Sequence, residues 1–453
     1  MKLITERRFN ALAGYAKLPE SVLFIKELSW FEEGDETLLG MVGLDTIDND
    51  YSAAVFGRDA RGCFRYVNGL VSMSTQAEAT LWLRDRLAEL VLEPPESHYQ
   101  GDEVGQAVDF FRPIIDEARR AVAFEQLRTL RHYSHALGLL RGLMYYFRDP
   151  DGHFIQQFQS DAGFDARLWE LYLYATFTEA GYGFDRQHHA PDFHCRGPLG
   201  EFFVEATTVG VSPIPIEIDE SNIESYHEDY IPVRFAGALR AKLQKHYWEL
   251  PHVAGHPLVI AIQDFHATGS MKWSTPSLIE YLYGLRQIED EDGTARSVSI
   301  TEHRWKAKVI SSNFFAQSGA ENISAVIANP SGTLSKFTRM GFLAGFGDRD
   351  LKIYRRGIAF QDESGAAPTP YAVEVTAEGY DETWGEGLAV YHNPRAKVPF
   401  PEECLPNAGH FIVEDGELLS KRPAFFPLGS EMWVVAPTGE TDSAPLKMAP
   451  DPK

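Results

Sequence analysis

The sequence predicts an α/β fold, and three observations carry that expectation. Strand-length apolar runs closed by turn residues recur along the chain, among them VLFIKELSWF, LLGMVGLDTI and the continuous run PLVIAIQDF. Helical spacing with helix-starting and helix-ending residues marks other stretches, most clearly TQAEATLWLRDRLAELV and DARLWELYLYATFTEA. The chain has 453 residues, 44% of them hydrophobic, which is room for two or three domains and an ample core. The expected architecture is an αβββαβ core, flanked by a small N-terminal α/β unit and a β-rich C-terminal section.

Taken in order, residues 1–95 read as the N-terminal unit. Its strands fall in VLFIKELSWF, LLGMVGLDTI and YSAAVFGRD, separated by GDE and DND turns, and Thr75 caps the helix that follows. EPPESHYQGDE breaks the pattern as a linker. Residues 105–160 form a helical connector, with Asp109–Arg148 expected as two helices packing the first unit onto the next. The core spans 161–295. It begins with the helix Asp165–Ala180, capped by Asp165 and stopped by Gly181. Strands are expected around Phe184–His189, Pro191–Cys195 and Glu201–Val209. An acidic excursion, Ser212–Tyr230, then separates them from a helix over Phe235–Glu249 and the buried strand PLVIAIQDF. Residues 296–436 read as β-rich with irregular loops, and 437–453, rich in Pro, Ser, Thr and Asp, as a disordered tail.

Composition narrows the function classes. No apolar run reaches the ~18 residues of a membrane span. The segment MKLITERRFNALAGY holds neither an apolar signal core nor a small-residue cleavage site, and three dispersed cysteines (Cys63, Cys195, Cys404) make no disulfide framework, so a reducing cytoplasm is the expected location. The formal net charge of −23 opposes non-specific binding to nucleic acid. Residues 301–356 are the exception. Nine basic residues face four acids there, a local balance of +5, and one basic face is expected from them.

The stretch APDFHCRGPLGEFFVEATT carries the chemistry. Phe202, Phe203 and Val204 suit a buried strand, and Glu205 interrupts it, so its carboxylate must be paired, protonated or holding a cation. Side chains two apart on a strand share a face, which groups Phe203, Glu205 and Thr207. If PDF begins or ends the partner strand of a hairpin, Asp192 stands beside Glu205. On the leading helix Glu170 sits among Trp169, Leu171, Leu173, Tyr174 and Phe177, on a packed stripe. Carboxylates this close repel unless a cation or a shared proton intervenes, and Mg²⁺ takes one or two of them alongside water and phosphate oxygens.

A helical Glu, Pro-Asp before a turn, an apolar strand with Glu-x-Thr, a second helix and a buried strand together resemble the PD-(D/E)XK nuclease superfamily over roughly Asp165–Asp264. The resemblance implies a restriction-endonuclease-like core and Mg²⁺-dependent (or Mn²⁺-dependent) hydrolysis of phosphodiester bonds in DNA, or in RNA. Carried over by position, Glu170, Asp192 and Glu205 hold the metal. The motif Lys is replaced by Thr207, whose hydroxyl can orient water but brings no charge. Lys242 or Lys245 on the second helix are the nearest substitutes, and Lys242 completes the expected catalytic set. Two alternatives stay open: an inactive core of the same fold acting in nucleic-acid binding or protein interaction, and a structural ion-pair network with Arg167 or Arg186. Either flanking section is a place for a homodimer contact or a protein partner.

Two further features have plain readings beside functional ones. His188, His189, His194 and Cys195 invite a zinc site, but neighbouring residues of a strand point to opposite faces, and surface or hairpin histidines are the favoured reading. NPSGTLSKFTRMG can cradle phosphate through backbone N–H groups and Lys336 and Arg339, or be a turn into a packed helix.

Overall fold

Every residue of Leu258–Asp264 is buried, and in the computed structural model this run is an inner strand of the largest sheet. The structure describes residues 1–453 apart from 104, 106, 149–151, 213–217, 219–221, 268, 290–294, 363–366 and 438–453. The expected disordered tail therefore lies, but for Pro437, outside the described residues. The fold is mixed α/β with several sheets.

The N-terminal unit holds more than the sequence pattern suggests. Strand β1 (Lys2–Ile4) and helix α1 (Glu6–Ala13) precede β2 (Ile25–Glu33), β3 (Leu38–Asp45), β4 (Tyr51–Arg58) and β5 (Phe64–Met73). All five strands pair antiparallel in the order β1-β2-β3-β4-β5. Helix α2 (Gln76–Leu90) starts as expected, with Thr75 Oγ1 accepting from the Glu78 N–H at 3.2 Å. Its Ala79, Leu83 and Leu87 close the sheet's apolar face. At Gly40 the approach is so close that a Cβ would lie 2.9 Å from a Leu83 methyl.

The connector is less helical than its apolar spacing implies. Helices α3 (Val122–Thr129), α4 (Ser134–Met144) and α5 (Phe154–Gln159) form, but Asp109–Asp116 stays irregular. The Asp109 carboxylate accepts from the Phe111 and Arg112 N–H groups and makes a local turn instead of a helix.

Helix α6 (Phe164–Glu179) leads into β6 (Gly183–Phe184), β7 (Phe193–Gly197) and β8 (Gly200–Val209). A short turn, α7 (Ile223–Ser225), and a wider one at Tyr226–Tyr230 feed α8 (Ile231–Leu243), and β9 (Leu258–Asp264) follows. The order helix, three strands, helix, strand is thus present. Its second helix begins four residues earlier than expected and ends at Leu243. Next come α9 (Ser274–Tyr283), the hairpins β10 (Leu285–Glu289)–β11 (Ala295–Ser299) and β12 (Glu302–Trp305)–β13 (Lys308–Ser311), then β14 (Ala325–Ala328) and α10 (Leu334–Leu343). The remaining strands are β15 (Lys352–Phe360), β16 (Thr369–Glu374), β17 (Ala389–His392), β18 (Gly409–Glu414), β19 (Glu417–Lys421) and β20 (Phe426–Val435).

The boundary expected at 295/296 does not divide the molecule. The large sheet runs β19-β18-β17-β14-β9-β8-β7-β6, with β8, β9 and β14 mutually parallel, so four strands of the C-terminal section extend the core sheet. Within that section the β12–β13 hairpin and the three-stranded β16-β15-β20 form sheets of their own. Period-two alternation sorts the side chains of the large sheet. Phe202, Val204, Ala206, Val259 and Ala261 pack with α6, while Phe203, Leu258, Ile260 and Ile262 pack with α8 and α9. The two helical layers seal both faces, and this places α6 and α8 on either side of β8.

Candidate active site

Helix α6 is buried almost all round, with Leu168, Trp169 and Leu171–Phe177 inside, because the sheet lies on one side and the connector and α10 on the other. Its cap differs from expectation. Gly163 is the N-cap and Asp165 falls in the first turn with no capping bond. Its end is as expected. Gly181 has φ +85°, the Tyr182 N–H reaches the Phe177 carbonyl and the Gly181 N–H reaches that of Thr178, both at 3.0 Å, which is a Schellman stop. Glu170 is one turn in, its side chain 14% exposed, and both its oxygens lie 2.7 Å from Arg167 Nη1. Arg167 is itself held by Gln157 Oε1 at 2.8 Å.

The hairpin forms as the Pro-Asp-Phe pattern implies. Strands β7 and β8 pair antiparallel from Phe193↔Val204 to Gly197↔Gly200, with Pro198 and Leu199 at the turn. That register sets Asp192, just ahead of β7, across from Glu205. The Asp192 N–H donates to Glu205 Oε2 at 3.3 Å, and Asp192 Oδ2 accepts from the Ala206 N–H at 2.7 Å. Glu205 is buried and faces α8, where Lys242 Nζ meets its Oε1 at 2.6 Å. The Tyr247 hydroxyl donates to the same oxygen at 2.7 Å. Thr207 lies two places along β8, half-buried, opposite Ile262.

These contacts choose between the two lysines. Lys242 sits in the last turn of α8 and reaches the carboxylates, whereas Lys245 lies beyond the helix end and is exposed. Tyr247 has no forerunner in the sequence reading. Its only signal is an aromatic pair, Tyr-Trp, directly after the helix stop.

The electrostatics mark the site as short of positive charge. Burial pushes the Asp192 carboxyl up to about 8, and the Glu205 and Glu170 charges push the same way against Lys242. Burial likewise pushes Glu170 up to about 7, with Arg167 and Lys242 opposing and Glu205 adding to the rise. The Tyr247 hydroxyl is raised by burial and by Glu205. Glu170, Asp192 and Glu205 thus feel one another's charge across the α6–β8 interface.

The expected three-carboxylate metal set does not assemble as a cage. Among the described residues no three His, Cys, Asp or Glu side chains group so as to hold a metal ion. The reason is local, since Glu170 is turned onto Arg167 and one oxygen of Glu205 is taken by Lys242 and Tyr247. Asp192 and Glu205 remain adjacent, both hard oxygen donors, and Asp192 has no cation of its own among the described residues. That donor set suits a hard cation that is content with two carboxylates.

The other sequence features resolve plainly. Cys195 is buried on the α6 side of the sheet, His194 pairs with Glu201 at 2.6 Å, and His188 stacks on His252, so no zinc set forms from them. The NPSGTLSKFTRMG segment is no phosphate cradle. Lys336 and Arg339 lie on α10, fully buried, and bind Glu382 at 2.6 and 2.7 Å. Arg355 is also buried against Glu382 and Glu386, so three of the nine cations expected on a basic face lie inside the molecule. Of the rest, Arg304, Lys352 and Arg356 pair with Glu302, Glu374 and Glu431. All three cysteines are free, and among the described residues no helix is long and apolar enough to cross a membrane. Comparison with family models, with curated proteins and with solved structures returns no match.

Proposed function

We propose that the chain is a metal-dependent phosphodiesterase with a restriction-endonuclease-like core, acting on nucleic acid. The observation that carries this reading is the hairpin pair Asp192–Glu205 with Lys242 drawn onto it from α8, in a setting where burial and mutual repulsion raise Asp192 to about 8. The element order from α6 to β9 supports the same core.

Asp192 and Glu205 would hold Mg²⁺ or Mn²⁺, which when bound supplies Lewis-acid polarisation of the phosphoryl group and a lowered pKa for water. Lys242 takes the place of the motif lysine: its ammonium, held by Glu205, puts a positive charge where phosphate charge builds up during attack. Thr207 presents a hydroxyl on the same strand face to orient the attacking water. Glu170, poised near neutrality at about 7, accepts the proton at a carboxylate oxygen. The water oxygen bonds to phosphorus, the bond to the leaving alcohol oxygen breaks, and that oxygen takes up a proton.

A second reading has its own observation. Glu205 is satisfied by Lys242, Tyr247 and the Asp192 N–H without any ion, as a retired site would be, and the chain would then bind without cutting.

Purified protein incubated with single- and double-stranded oligonucleotides decides between them. Cleavage is expected with Mg²⁺ or Mn²⁺ and lost in Asp192→Ala and Glu205→Ala. Lys242→Ala should slow it by about 100-fold, the scale of losing one charge-stabilising group, while Lys245→Ala leaves it unchanged. Equal cutting by all the variants removes the site. No cutting by the wild type leaves the second reading.

A further inference from the structure

A cleft of about 1330 Å³ opens between the N-terminal unit and the core, along the short turns of residues 14–23 after α1 on one wall and α6 with β6 on the other. Its charge is organised in two ways. Lys17 is neutralised by Glu27 at 2.6 Å, and Arg7 is bound to Asp381. Arg61, Arg148 and Arg186 also line the cleft, and among the described residues none of the three has a carboxylate partner. Glu179 and Asp185 line it too, but Asp185 leans to His194 and Arg196.

The three guanidiniums share one cleft. Arg186 is packed over the Phe147, Tyr174, Phe184 and Phe193 rings, 5.3–5.6 Å from each centroid, which fixes its direction. Its Nη2 is buried with no hydrogen-bond acceptor, and the same holds for Arg61 Nε. Burial and the neighbouring Arg148 charge both weaken the hold of Arg186 on its proton, and Arg61 and Arg148 both act on Cys63, against Asp59. Guanidiniums lining one cleft with no ion-pair partner among the described residues, two of them with a buried N–H left unbonded, suit an anion from outside. One further fact gives that anion a class. Tyr15, Tyr146 and Tyr174 line the same cleft, Tyr15 stacked on Tyr174 at 5.1 Å, so aromatic surface accompanies the positive charge.

We infer that this cleft binds the sugar–phosphate backbone of one unpaired nucleic-acid strand. Positive charge tracking phosphates beside stacking rings is how single strands are held without sequence preference. The inference takes its ligand class in part from the proposed action on nucleic acid, but its test does not require cleavage.

Fluorescence anisotropy of the full chain with a labelled 12-nucleotide single strand, in EDTA so that nothing is cut, reads the cleft directly. The single strand is expected to bind more tightly than a duplex of the same length. Arg148→Glu, at an exposed position, and Arg61→Glu should each weaken it by about tenfold or more, and each lost phosphate contact should flatten the salt dependence by about 0.7 in log–log slope. Lys245→Glu serves as the surface control and leaves binding as it was. Unaltered affinity in Arg148→Glu and Arg61→Glu overturns the proposal, as does equal or better binding of duplex, or competition by inorganic phosphate alone at the strand's own concentration. If binding needs Arg148 while the protein cuts nothing, the cleft stands and the hydrolytic reading falls. If cutting persists with Arg148→Glu binding normally, the reverse holds.

Discussion

Two buried charge clusters sit within this fold, and they are balanced in opposite senses. Around Glu382, three cations (Lys336, Arg339, Arg355) meet two carboxylates (Glu382, Glu386), with Tyr380 donating to Glu382 at 2.6 Å. Burial alone would raise Glu382, but the Arg339 and Lys336 charges override it and hold that carboxyl well below its usual range. Around Glu205, three carboxylates share Lys242 and Arg167, and the two outlying acids are pushed up to about 7 and 8. Both clusters are desolvated. The difference lies in whether the chain supplies enough counter-charge. Where it does, the cluster ties elements together, here α10, β15 and the loop 380–386. Where it falls short, the cluster has an open demand for positive charge, which is what a cation site needs.

The largest expected effect comes from breaking the balanced cluster. Glu382→Ala leaves buried Lys336 and Arg339 without a carboxylate, while Arg355 keeps Glu386, and should cost about 3–5 kcal/mol of stability, read as a lower denaturation midpoint at an unchanged m-value. Glu382→Gln, keeping the shape and some hydrogen bonds, should cost less. A loss below about 1 kcal/mol in Glu382→Ala would mean that the cluster is not the tie it is taken for.

A smaller effect with the opposite dependence is expected at Asp192. In the folded chain its proton is held up to about pH 8, and in the unfolded chain only to about pH 4. Between those values the native state binds more protons, so stability falls as pH rises. Asp192→Asn carries no such titration. Metal-free melts should therefore show the variant gaining on the wild type from pH 5 to pH 8, by about 1–3 °C. A constant gap across that range contradicts the raised carboxyl.

How much of this was legible in the sequence follows from the range of the interactions involved. Local signals held. The Gly181 stop, the Thr75 cap, the β7–β8 hairpin pairing Asp192 with Glu205, and the buried run 258–264 are each set by residues a few places apart. Long-range pairing did not show. Strand β14 joins β9 across more than sixty residues, and β17 and β18 follow from further on, so what reads as a separate β-rich section extends the core sheet. Charge context was also hidden. Lys336, Arg339 and Arg355 look like a surface patch until Glu382 is brought to them, and the choice of Lys242 over Lys245 depends on α8 ending at Leu243. The partner of Glu170, Arg167, was in view as one end of an ion pair, but its hold on both carboxylate oxygens was not.

The central claim is that the Asp192–Glu205 pair lacks a counter-charge that a divalent cation supplies. Calorimetric titration of Mn²⁺ into the metal-free protein at pH 7.5 tests it most directly, since uptake should release a proton from the raised Asp192 carboxyl. Saturable binding is expected, with a heat that changes with the ionisation enthalpy of the buffer, and no such binding in Asp192→Asn. Flat heats in the wild type, or binding that Asp192→Asn and Glu205→Gln both retain, would contradict it.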